Sequence, residues 1–79
     1  MNIYSAIREG QSILSRKKIK TASLDCQILM SQAINKEKKF VILNSSNKIS
    51  DKNLNYFYDL VQQRSKGKPI AYLLKKKDF

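Results

Sequence analysis

Apolar residues fall into clusters separated by polar, lysine-rich stretches, and most clusters repeat every three or four positions rather than every second one. From Asn2 to about Arg16, Ile3, Ala6, Ile7, Ile13 and Leu14 recur at helical spacing, with Ser5, Arg8, Glu9 and Ser12 between them, so an amphipathic helix is predicted. Gly10 in its middle costs about 1 kcal/mol against alanine and marks either a close approach by another helix or a weak point. Lys17, Lys18 and Lys20 around Ile19 read as a solvated connection. Thr21 or Ser23 can cap the next helix, and Asp25 in its first turn suits the positive end of the helix dipole. Ala22, Cys26, Leu29, Met30, Ala33 and Ile34 then follow an i, i+4, i+7, i+8, i+11, i+12 series that Leu24 and Ile28 widen, as in a central helix packed on several sides. Asn35 stands where a left-handed cap is expected.

The run Phe40, Val41, Ile42, Leu43 fits a buried strand as well as a short helix. A lone strand would leave its backbone groups unpaired, so a short helix within 36–43 is the economical choice. Residues 44–50 form a polar loop, with Ile49 placed as a hydrophobic staple. Ser50 or Asp51 caps a fourth helix whose inner face carries Leu54, Phe57, Tyr58 and Val61, flanked by Leu60. Tyr56, Asp59, Gln63 and Lys66 fall outside. Gly67 can take the left-handed conformation that ends this helix, and Pro69 pre-sets the first turn of another through Ile70, Ala71, Tyr72, Leu73 and Leu74. The expected fold is all-α, a small bundle of four to five short helices. An aromatic last residue, Phe79, with no polar tail behind it, predicts a segment cut from something longer.

The pattern R-x-x-G-x-P-x-A-Y-x-L-x-x-x-[DE]-F, present as Arg64, Gly67, Pro69, Ala71, Tyr72, Leu74, Asp78 and Phe79, resembles the end of the N-terminal domain of the peptide chain release factor glutamine methyltransferases. Leu24 and Asp25 resemble that family's L-D-A-E-x-L-L segment, and the likeness covers nearly the whole chain. Two positions depart from it: Lys75, where the family usually has glycine, and Lys68, where it often has an acid. The resemblance implies one helical release-factor-recognition domain over residues 1–79. A domain that binds S-adenosylmethionine and methylates the glutamine of the release factor's GGQ loop is then expected after residue 79. That family's cofactor site and N-P-P-Y tetrapeptide belong to the second domain, so no catalytic, cofactor or metal residue carries over here. Pro69, Ala71, Tyr72, Asp78 and Phe79 match the final short helix and the lead-in to the catalytic domain, and Arg64 matches the same pattern. Tyr72 reads equally as a boundary residue or as a core tyrosine. Arg64 reads as a forked carboxylate partner or, more simply, as an exposed side chain on a solvated helix end.

Composition narrows the picture further. With 79 residues, the chain makes one domain, and a domain this small buries only about 60% of its unfolded surface. Apolar residues at 42%, with two glycines and one proline, favour ordered helices over a disordered tail. No stretch reaches the roughly 20 apolar residues of a membrane span, and the start lacks a secretory pattern, so the chain is read as cytoplasmic. One cysteine and no histidine exclude an internal disulfide and a structural zinc, leaving Cys26 as a small core residue. The net charge of +10 has two readings: attraction to phosphate-rich or acidic partners, or compositional drift in a chain with thirteen lysines and three arginines.

The six acids read mostly as caps and solvated positions, and neither a glycine-rich phosphate loop nor a catalytic constellation is present, so the chain alone is not expected to be an enzyme. Its expected partners are a release factor and its own catalytic domain. A free-standing basic module that binds RNA or DNA is the alternative from another class. It predicts steep salt dependence and a continuous basic stripe, whereas the lysines here are scattered over several loops. A third possibility is a domain that only stabilises its catalytic neighbour, with an apolar patch around Tyr72 and Phe79.

Overall fold

A computed structural model describes residues 1–74, and they form five helices: α1 (Ile3–Arg16), α2 (Ala22–Ile34), α3 (Lys38–Leu43), α4 (Asp51–Ser65) and α5 (Ile70–Leu74). The all-α expectation holds. Helix α2 is the axis, since α1, α3, α4 and α5 all pack on it, as its broad apolar surface requires. Leu14, Cys26, Leu29, Met30, Phe57, Leu60 and Val61 close the core with no exposure to solvent. Gly10 is the point of closest approach: a Cβ there would stand 2.9 Å from Phe57 Cζ and 3.0 Å from Cys26 Sγ. The glycine therefore admits α4 and α2 against α1, and of its two readings the close approach is correct.

All three long helices end in the same way. At each, a residue in the left-handed region follows the last turn, and paired backbone bonds run back into the helix. Gly67 (φ 101°) donates to the Arg64 carbonyl and Lys68 to that of Gln63; Asn35 (φ 59°) donates to Gln32 and Lys36 to Ser31. Lys18 (φ 63°) completes the set, donating to Ser15 while Ile19 donates to Leu14. Gly67 and Asn35 are residue types that take this conformation readily, and lysine is not, so only the first two were legible. The turn at Lys18 also carries Ile19 back onto the core, so 17–20 is more than a solvated link.

Helix starts are satisfied by local chemistry. The Asn2 side chain accepts from Ser5 N–H and Ser50 from Asn53 N–H. Loop 44–50 reaches across to accept Ile3 N–H on the Asn47 carbonyl and Tyr4 N–H on that of Ser45, tying the start of α1 to the entry of α4. Ile49 and Leu54 pack against the core from this side.

Four expectations need correction. Thr21 precedes α2, but its hydroxyl donates to Asp25 Oδ2 at 2.9 Å instead of accepting a backbone N–H. Tyr56 is half-buried rather than outside, because its hydroxyl accepts from the amide of Gln32, a buried residue of α2. Leu24 does not widen the buried face of α2; it lies in solvent. Of the apolar run in α3, only Val41 is buried, while Ile42 and Leu43 are 54% and 72% exposed.

Candidate functional site at the α4–α5 turn

The residues singled out at the end of the chain converge on the turn between α4 and α5. Gly67 stops α4, and the Pro69 carbonyl accepts from Tyr72 and Leu73 N–H to open α5. A five-residue helix is too short to stand alone, so it needs an anchor. Leu73 supplies that anchor, fully buried against α2 and α4. Pro69, Ala71 and Tyr72 face solvent. Tyr72 is 50% exposed, with the Lys68 ammonium 5.2 Å from its ring centroid, so it is not a core tyrosine. Asp78 and Phe79, and the lysines at 75–77, lie outside the described residues.

Arg64 fastens this turn to the bundle. Its Nε donates to Asp25 Oδ2 at 2.9 Å, and its Nη1 donates to the Lys68 carbonyl at 3.2 Å. The guanidinium fork is thus divided between a carboxylate on α2 and the backbone just before Pro69. Asp25 is buried and collects the Thr21 hydroxyl on the same oxygen, so a carboxylate that would be costly to bury is matched by a cation and a second donor. Reading Arg64 as a solvated helix end, and Asp25 as a dipole residue only, is overturned by this pair. One signal for it was available: Asp25 lies three residues after Ala22 and four before Leu29, on the apolar face of α2, where an acid needs a partner.

Two other side chains, Cys26 and Tyr58, are shifted away from their ionised forms. Burial, aided by the neighbouring Asp25 charge, pushes the Cys26 thiol up to about 12, so it stays an unreactive core side chain. Tyr58 is likewise raised to about 12, first by desolvation and then by its hydrogen bond to Glu9 and that group's charge. Among the described residues no three His, Cys, Asp or Glu side chains gather as metal ligands. The arrangement is mechanical: it fixes the direction in which α5 leaves the bundle and presents Tyr72 outward.

The family model described as the PrmC N-terminal domain matches residues 5–74. The chain belongs to this family. Curated relatives extend the likeness over the described residues and beyond. A release factor glutamine methyltransferase of Clostridium acetobutylicum is 30% identical over 79 residues, covering 100% of this chain and 28% of the relative. The corresponding protein of Leptospira interrogans is 27% identical over 99% of the chain and 27% of its own length. A bifunctional methyltransferase of Rickettsia felis is 26% identical over 99% of the chain and 15% of the relative. The chain therefore spans little more than a quarter of the release factor methyltransferases it matches. No solved structure matches it. As a PrmC N-terminal domain the chain has the helical fold described above, and no helix among its described residues is long and apolar enough to cross a membrane.

Proposed function

We propose that residues 1–79 are the substrate-recognition domain of a cytoplasmic methyltransferase that modifies the glutamine in the GGQ motif of peptide chain release factors. A catalytic domain that binds S-adenosylmethionine would follow residue 79. The observation that carries this reading is the family match over residues 5–74, together with relatives of that name in which the aligned region fills only about a quarter of the protein. Recesses on this chain, such as those between α1 and α3 and beside Ile19, are open grooves, and no residue here is assigned to the cofactor. When bound, that cofactor supplies the methyl group. This domain's contribution is positional: gripping the release factor away from its loop raises the effective concentration of that loop at the distant active site.

In this reading the α4–α5 turn is the junction. Arg64 and Pro69 set the exit direction, Ala71 and Tyr72 form the surface toward the neighbouring domain, and Asp78 and Phe79 lead into it. Hydrogen exchange on the full-length methyltransferase tests the recognition role. Adding release factor is expected to slow exchange at amides within residues 1–74. Unchanged exchange throughout those residues, with the substrate bound and methylated, would overturn it and leave the domain as a support for its neighbour.

A further inference from the structure

The bundle carries a second exposed apolar surface, on α1 and α3 rather than at the α4–α5 turn. Tyr4 on α1 and Ile42 on α3, 52% and 54% exposed, both line a groove of about 200 Å³ that also includes the buried Ile7 and Val41. Leu43, more exposed still, continues the surface into a second recess beside Phe40. Exposed apolar side chains scattered singly are ordinary, but here Ile42 and Leu43 are consecutive on α3, each lining a recess on its own flank of the helix, and Tyr4 lines the same recess as Ile42. The rim is basic. The Arg8 guanidinium sits 5.7 Å from the Tyr4 ring centroid and donates to its hydroxyl at 2.9 Å, which holds the cation at the groove edge. Lys38 and Lys39 stand one helical turn before Ile42 and Leu43. Glu37 is the single acid lining these two recesses. No ion pair among the described residues neutralises Arg8, Lys38 or Lys39.

We infer that this α1–α3 face docks the release factor, seating an apolar side chain between Tyr4 and Ile42 while carboxylates of the same substrate surface meet Arg8, Lys38 and Lys39. This rests on the recognition role proposed above. The occupant is the substrate that the relatives' names give, and the groove sets what its surface must carry: an apolar centre edged by cations that no described residue neutralises fits an apolar ridge bordered by Asp and Glu. A small apolar centre within a charged rim is also how few residues come to dominate an interface.

The test uses full-length methyltransferase with two substrates, intact release factor and a short peptide carrying only the GGQ loop. The double substitution Ile42→Ser, Leu43→Ser is expected to raise KM for release factor about tenfold with kcat unchanged, and to leave the peptide reaction unaltered. Arg8→Gln with Lys39→Gln is expected to raise the same KM and to flatten its dependence on salt. Unchanged KM in both variants overturns the inference. If release factor still slows exchange within residues 1–74, the recognition role survives with another face; if it does not, both fall. A drop in kcat for peptide and release factor alike also overturns it, because the face would then be covered by the protein's own catalytic domain.

Discussion

The two short helices, α3 and α5, make an instructive contrast. Both are five or six residues long and apolar, and each buries one side chain completely or nearly so, Val41 in α3 and Leu73 in α5. Helix α5 is also held by polar chemistry: Arg64 ties its entry to the buried Asp25, and Gly67 shapes the turn before it. Helix α3 has no buried ion pair among the described residues; its exit is tied to α1 only by backbone bonds to the Ser45 and Asn47 carbonyls, and it turns Ile42 and Leu43 to solvent. A short helix cannot support itself, so its position comes either from side chains that clamp its turn or from packing and backbone contacts of the adjoining loop. Fastening suits an element that must hold a direction. Unspent apolar surface suits one that meets a partner.

Substitutions that strip each helix of its supports test this contrast, and urea unfolding of the 79-residue chain measures them. Leu73→Ala removes the only buried side chain of α5 and is expected to cost about 3 kcal/mol. Arg64→Ala strands the Asp25 carboxylate in the core with only the Thr21 hydroxyl, for a loss also near 3 kcal/mol. Its effect should shrink when Asp25→Asn is introduced as well; additive losses would show that the pair does not fasten the turn.

Backbone changes at the helix ends come next. Gly67→Ala meets no atom within 4 Å, so its cost, about 1 kcal/mol, is that of placing a Cβ at φ 101°. Lys18→Gly relieves the same strain after α1 and should stabilise by a smaller amount, up to about 1 kcal/mol. Equal effects of opposite sign would show that the caps act alone; a larger loss at Gly67 would show that α5 depends on its turn.

Alkaline pH probes the core that both helices share. The Cys26 thiol, ordinarily near 9, is raised to about 12 when folded, so above about pH 9 the unfolded chain releases a proton that the folded chain keeps. Its contribution to stability is complete below that pH and falls as pH rises toward 12. Cys26→Ala should flatten this decline in a pH series of unfolding midpoints, with Tyr58 left to account for the remainder. The smallest effect belongs to α3: Ile42→Ser and Leu43→Ser should each change stability by less than about 0.5 kcal/mol, because each residue keeps more than half of its surface in water. A loss above 1 kcal/mol at either would break the contrast between the two helices.

Much of the bundle could be read directly from residue order. The 3.6-residue spacing in α1, α2 and α4, the left-handed caps at Asn35 and Gly67, the Ser50 cap and the start of α5 after Pro69 are local events, decided within a few residues. The breadth of the apolar face on α2 also announced a central helix. The sense of α3 was hidden, since four consecutive apolar residues carry no periodicity to say which side faces in.

Sequence by itself determined an all-α bundle of four to five helices, where α2 and α4 stop, and membership of a helical domain family. Only the tertiary structure decided which residues meet. Arg64 and Asp25 are 39 residues apart, Gln32 and Tyr56 24, and in each case a side chain that looks solvated on its own helix finds a buried partner on another. Gly10 is legible as a gap in α1 but not as the seat of Phe57 and Cys26. The division has one physical cause: helix formation and capping are set by neighbours along the chain, whereas the cost of a buried charge, or the worth of an exposed leucine, depends on what folding brings beside it.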